Sequence, residues 1–187
     1  MTNMPYYDSV DEYDDIESVG NFHMSIEKGL MTEEEGLEML HQRSRDHART
    51  PMQWDDSANA GFTTGTPWLH VNPNYTKINV KAALENKNSI FYYYQKLIQL
   101  RKQSDVIVHG TYELLEPDHP DLYVYTRTLG NEKLLVVCNF SDKEIVYQMP
   151  EEFVNGTCII TNINDFNPQK AIPPYGTYVM TNGDGKF

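Results

Sequence analysis

At 187 residues the chain has room for one ordinary domain or two small ones, and too little for a complete (β/α)8 enzyme. Its formal net charge of −12 argues against nucleic acid or an anionic membrane as a partner and leaves neutral or cationic ligands. Cys138 and Cys158 lie in apolar runs and read as reduced, buried thiols, and no secretory signal or bilayer-length apolar run is visible, so a cytoplasmic home is expected.

Residues 1 to 31 are rich in Asp, Tyr and Gly without a sustained period, which predicts an irregular loop. Thr32 and Glu35 then have the spacing of a capping box, and Leu37, Leu40 and a basic end predict a short helix. From Arg45 through Pro73 the Gly, Pro, Asn and Ser content predicts a long ordered loop carrying Trp54, Phe62, Trp68 and His70. Val80 to Leu84 add a helical turn. The segment NSIFYYYQKLIQLRKQS is the clearest helix, with Ser89 as its cap and a stripe of Ile90, Tyr93, Tyr94, Leu97 and Leu100. Beyond Asp105 the period switches to strands, VIVHGTYELLE, DLYVYTRTL, EKLLVVCNF, EIVYQM, GTCIITN and GTYVMTN, with turns between them. The expected fold class is therefore α+β, ending in a small antiparallel β-sandwich.

The run SRDHARTPMQWDDSANAGFT, residues 44 to 63, packs arginines, carboxylates, Gln53 and a Trp of the buried type into one segment. Charged and amide groups beside flat aromatic faces suit a polyol surface. The alternative is a salt-bridged structural loop, because Arg and Asp this close usually satisfy each other. Both readings stay open on residue types alone. His41, Asp46 and His47 could be considered as metal ligands, but no second cluster supports them, so neither a metal nor a cofactor is expected. The neighbouring carboxylates Asp14-Asp15, Asp55-Asp56 and Glu33-Glu34-Glu35 read as ionised and solvated, not as catalytic pairs.

With MTN at positions 1 to 3, SRDHARTPMQWDDSANAGFTTGTPW, VNPNYTKINV, SIFYYYQKLIQLRK and EKLLVVCNF in this order, the chain resembles the C-terminal part of α-glucosidases of the α-amylase superfamily, glycoside hydrolase family 13. The likeness is to the oligo-1,6-glucosidase, dextran glucosidase and trehalose-6-phosphate hydrolase group, and it runs from Met1 to about Phe153. It implies that residues 1–104 are the end of a catalytic barrel, the region after strand 8 and the final helix, and that residues 105–187 are a C-terminal all-β domain. Retaining glycoside hydrolysis needs two carboxyl groups about 5 Å apart. The resemblance assigns these, and a third Asp, to earlier barrel strands upstream of Met1, so no catalytic residue is expected here.

What carries over by resemblance is Arg45 as a substrate-binding residue for the terminal glucose of an α-glucoside oligosaccharide. In the family this Arg pairs with an Asp from near the N-terminus, and without that partner Arg45 is expected to lose its orientation. Arg49, Gln53 and Trp54 are expected to be mainly structural. His47 stands where many relatives carry Asn, and Asp14 departs from a common Arg, which bears on how the first loop is anchored. The preference among α-1,6, α-1,4 and phosphorylated trehalose linkages is implied to reside in upstream loops.

Three readings follow: the C-terminal portion of an α-glucosidase, inactive alone; a non-catalytic carbohydrate-binding module using Tyr112, Tyr123 and Tyr125; and an interaction module whose helix stripe completes a barrel with an upstream segment. Residues 1 to 88 are expected to be looser than the β domain.

Overall fold

The computed structural model describes residues 2–183, and contacts divide the chain into two compact units, Met1–Tyr93 and Tyr94–Phe187. The first unit is built from helices and 3-10 turns, with no strand among its described residues.

Helix α1, Ile16–Glu27, is the main departure from the sequence reading, which took residues 1 to 31 as irregular. Gly20 and Asn21 interrupt its apolar pattern, yet Val19, Phe22 and Ile26 fall at helical spacing and pack into the core of the unit. The helix ends on Gly29 at φ 65°, where Leu30 N donates to the Ser25 carbonyl, a left-handed stop suited to glycine. Helix α2, Glu33–Arg43, starts as expected: Thr32 Oγ1 accepts from Glu35 N at 3.2 Å and Glu35 Oε2 accepts from Thr32 N at 2.8 Å. The two helices pack closely at Gly36, where a Cβ would lie 2.6 Å from the Phe22 ring. Met4, Tyr13, Phe22, Leu40 and Leu69 form the buried core of this unit.

The long segment after Arg45 is ordered by 3-10 turns at Arg45–Ala48, Ala58–Gly61 and Pro73–Thr76. Gln53, 2% exposed, ties it together: its amide donates to Asn74 Oδ1 at 2.9 Å and the Ile78 carbonyl at 2.8 Å, while its oxygen accepts from Thr2 Oγ1 at 2.9 Å. That is the structural role expected of it. Trp54 differs from the buried type expected, since its ring is half exposed even though its backbone bonds to Ala60 and Lys81. The remaining helices are α3, Val80–Glu85, capped by Asn79, and α4, Ile90–Gln103. The Ser89 hydroxyl donates to the Ala83 carbonyl, so it turns back on α3 instead of capping α4. The expected α4 stripe has no buried residue, and Ile90, Tyr94 and Leu97 are exposed.

The second unit holds one antiparallel five-stranded sheet in the order β1-β2-β3-β5-β4: β1 Thr111–Leu114, β2 Leu122–Leu129, β3 Glu132–Asn139, β4 Thr157–Thr161 and β5 Thr177–Thr181. Val124 pairs with Val137 and Leu135 with Met180, which sets one apolar face of the sheet. Phe153, Ile172 and the flanking Ile145, Tyr147 and Phe166 cover that face. The segments expected as strands at 106–109 and 144–149 differ. The first is helix α5, Asp105–His109, whose carbonyls at Val106 and Val108 accept from the Arg127 guanidinium. The second makes one isolated bridge, Ile145 to Ile172. A short helix, α6, Glu151–Val154, places Phe153 in the core.

Both cysteines are free and half-buried, less enclosed than expected, and burial pushes both thiols up. No helix among the described residues is long and apolar enough to cross a membrane.

Candidate functional site

Arg45 leaves α2 through Ser44, whose hydroxyl accepts from Asp46 N at 3.2 Å and starts the 3-10 turn that presents the guanidinium. Contrary to the expected loss of orientation, Arg45 is held within this chain. Its Nε donates to Asp15 Oδ1 at 3.0 Å and its Nη2 to the same oxygen at 2.6 Å. Glu17 Oε2 lies 3.1 Å from Nη2 on the solvent side. Asp15 is 1% exposed and receives Ser18 Oγ as well, so this carboxylate of the Asp14-Asp15 pair is neither solvated nor free. The Arg45 hydrogen bonds, aided by Ser18, hold its carboxyl well below the usual carboxylate range.

A second carboxylate builds the floor. Asp46 is fully buried, and its Oδ2 accepts from Asp14 N at 2.8 Å and Asp15 N at 2.9 Å. The loop carrying Asp14 is thus anchored through its backbone. Arg49 Nη1 stands 3.5 Å from Asp46 Oδ1 and 3.7 Å from Asp15 Oδ1. Two buried carboxylates therefore face two more exposed guanidiniums, an arrangement in which the acids fix the direction of the bases.

The other sequence candidates go elsewhere. His47 Nδ1 accepts from Met4 N at 3.1 Å, and His41 Nε2 contacts the Tyr7 carbonyl at 2.9 Å, so with Asp46 engaged by backbone these three do not converge. Among the described residues no group of three His, Cys, Asp or Glu could hold a metal ion. Asp55 bonds Ser57, Asp56 lies 3.8 Å from Lys81 Nζ, and Glu33 to Glu35 line exposed α2. Burial, with Tyr7 and Asp46 nearby, pushes the Tyr13 hydroxyl up to about 12.

Arg45 opens on a cleft of about 240 Å³ shared with Asp15, Glu17, Ser18, Asn21 and Arg43. Its Nη1 has no hydrogen-bond partner among the described residues, and its side chain is 55% exposed. A guanidinium clamped on one edge can donate two directed hydrogen bonds from the other. Sequence reading missed Asp15 and Glu17. The signal was the spacing of Asp15 and Ser18 at the start of a helix, hidden by the irregular composition around it.

In the second unit, Tyr112, Tyr123 and Tyr125 lie together on the sheet face opposite the core. The Tyr112 and Tyr123 hydroxyls are 3.1 Å apart, and the Tyr125 ring centroid lies 5.2 and 5.3 Å from the other two.

Helices and turns tied by a buried acid-base network are followed in the chain by an antiparallel β domain. Residues 6–110 match the family described as Alpha amylase, catalytic domain, and residues 112–179 match Maltogenic Amylase, C-terminal domain; the chain belongs to the α-amylase family. It is 54% identical over 157 residues to an oligo-1,6-glucosidase of Parageobacillus thermoglucosidasius, covering 84% of this chain and 28% of that protein. Trehalose-6-phosphate hydrolase of Bacillus licheniformis superposes with a TM-score of 0.85 at 40% identity, over 97% of this chain and 34% of that one. A variant of isomaltulose synthase from Erwinia rhapontici NX5, in complex with its natural substrate sucrose, superposes with a TM-score of 0.89 at 41% identity, over 97% and 33%. The chain spans about a third or less of the length of these relatives.

Proposed function

We propose that these residues are the C-terminal portion of an α-glucosidase that releases terminal α-linked glucose from short oligosaccharides, with Arg45 as a substrate-binding residue. The observation that carries this reading is the Arg45 guanidinium, fixed on one edge by buried Asp15 and free at Nη1 toward an open cleft. Its relatives support the substrate class: one is an oligo-1,6-glucosidase and another holds sucrose, also an α-glucoside. Arg45 supplies one wall of a glucose subsite, since the cleft is smaller than the ~300 Å³ at which ligand pockets usually begin. The 187 residues are inactive on their own, because Asp15 and Asp46 are committed to guanidinium and backbone donors while retaining hydrolysis needs a free carboxylate pair about 5 Å apart. A cytoplasmic home accords with the free thiols of Cys138 and Cys158.

The test is a chimera in which this chain replaces the matching part of the Parageobacillus enzyme. Isomaltose hydrolysis by the chimera and none by the isolated chain is expected. Hydrolysis by the isolated chain, free of host enzyme, would overturn inactivity alone, whereas a folded but silent chimera would overturn the glucosidase reading.

A second reading, sugar binding by the β domain, is favoured by the clustered rings of Tyr112, Tyr123 and Tyr125. Calorimetric titration with maltose, isomaltose and trehalose should then give saturable heat that disappears in Tyr123→Ala; flat traces would dismiss it.

A further inference from the structure

Residues 2 to 7 belong to no helix or strand and are tied to the rest of their unit by side chains. Thr50 Oγ1 donates to the Thr2 carbonyl at 2.9 Å, and Asn72 Nδ2 donates to the Asn3 carbonyl at 2.8 Å. Two N–H groups of this strap are received by imidazoles. Met4 N donates to His47 Nδ1 at 3.1 Å, and Tyr7 N donates to His41 Nε2 at 3.2 Å. Both ties depend on the lone pair of a ring nitrogen, which a proton removes.

The two histidines differ in what a proton does to them. His41 Nε2 also lies 2.9 Å from the Tyr7 carbonyl oxygen, and its Nδ1 lies 3.7 Å from Glu38 Oε2. Neutral, the ring accepts from the Tyr7 N–H; charged, it donates to the Tyr7 carbonyl with Glu38 as counter-ion. Either state keeps Tyr7 on α2. His47 has no such second arrangement. The Met4 N–H fixes Nδ1 as an acceptor, so the neutral ring carries its hydrogen on Nε2, which is buried and has no hydrogen-bond partner. A proton added at Nδ1 points one N–H at another and leaves the Met4 N–H without an acceptor.

No counter-ion offsets that loss. Among the described residues the ion pairs of histidine are His41 with Glu38 and His70 with Glu12, and His47 has none. In its own turn Arg45 and Arg49 add positive charge, while Asp46 is committed to the 14–15 amides and to Arg49. The hydroxyls of Tyr7 and Tyr13 stay neutral, because burial pushes both up.

We propose that His47 is a protonation-sensitive clasp, which on acidification lets go of Met4 and frees residues 2 to 6 while His41 and Asp46 keep residues 7 and 14–15 in place. Release uncovers Met4, which is 4% exposed and part of the core of its unit. The device is independent of any sugar-binding role of Arg45. Its test is amide exchange in the full chain by NMR, from about pH 8 to about pH 5.5, across the range in which histidines titrate. The protection factor of the Met4 amide should fall about tenfold, the worth of one hydrogen bond, at the midpoint where the His47 ring protons titrate. That of the Asp15 amide should change less than about twofold over the same range. His47→Asn, whose side-chain oxygen accepts at every pH, should keep Met4 protected throughout. The midpoint comparison needs no variant and decides the matter should His47→Asn disturb the fold. A flat Met4 profile, an equal fall in His47→Asn, a midpoint that departs from that of His47, or an Asp15 amide that falls with Met4 would overturn the proposal.

Discussion

Residues 2–93 are closed largely by polar side chains that bind distant backbone, Asp46 on the 14–15 amides and Gln53 on Asn74 and Ile78, around a small apolar cluster. Residues 94–183 are closed by one apolar sheet face under Phe153, Ile172 and Tyr178, with Asn139 alone as a comparable buried polar hub. Directed hydrogen bonds fix where a guanidinium points, whereas apolar burial supplies most of the stability and little direction. The candidate sugar-binding residue accordingly lies in the first unit, and the more uniform core lies in the second.

The contrast can be broken or sharpened in four steps of decreasing effect. Amide exchange should be about a hundredfold slower in β2 and β3 than in α1, reflecting the larger core beneath those strands; equal protection would remove the distinction between the units. Phe153→Ala should cost about 4 kcal/mol by denaturant unfolding, because its ring is fully buried in the sheet core. Asp15→Asn should cost about 2 kcal/mol, below the usual loss for a broken buried pair, since Arg45 can turn to water. The same carboxylate gives an acid limb. Its folded pKa lies below its unfolded value of roughly 3.9, so its contribution is complete above that pH and is lost as pH falls toward the folded pKa. Acid titration of Asp15→Asn should therefore show a shallower loss than the parent. Thr32→Ala, which removes the cap of α2, should cost about 1 kcal/mol.

Much of this architecture was legible in the residues. The capping box at Thr32, the helical run from Ile90 and the paired strands at 122–129 and 132–139 are local signals, and local signals survive in one sequence. Helix α1 was hidden because Gly20 and Asn21 break its period and its buried stripe depends on α2. The β-branched run at 106–108 suggested a strand, but Arg127, twenty residues away in the chain, stabilises a helical turn there by accepting no hydrogen and donating to its carbonyls. At the site, the Arg45 motif was readable and its counter-ion was not. Asp15 looks like one more surface acid until α1 and α2 pack and bring it, thirty residues away, against the guanidinium. The exposed α4 row likewise gives no sign in sequence of whether it is covered within this chain.

The most direct measurement is the isomaltose kinetics of Arg45→Ala in the chimera with the Parageobacillus enzyme, beside Arg45→Lys. If Arg45 donates to the bound glucose, kcat/KM should fall about a hundredfold in Arg45→Ala, with incomplete recovery in Arg45→Lys because an ammonium cannot bond Asp15 and the sugar in the same fork geometry. Unchanged kcat/KM in a folded Arg45→Ala chimera would contradict a substrate-binding role for this residue.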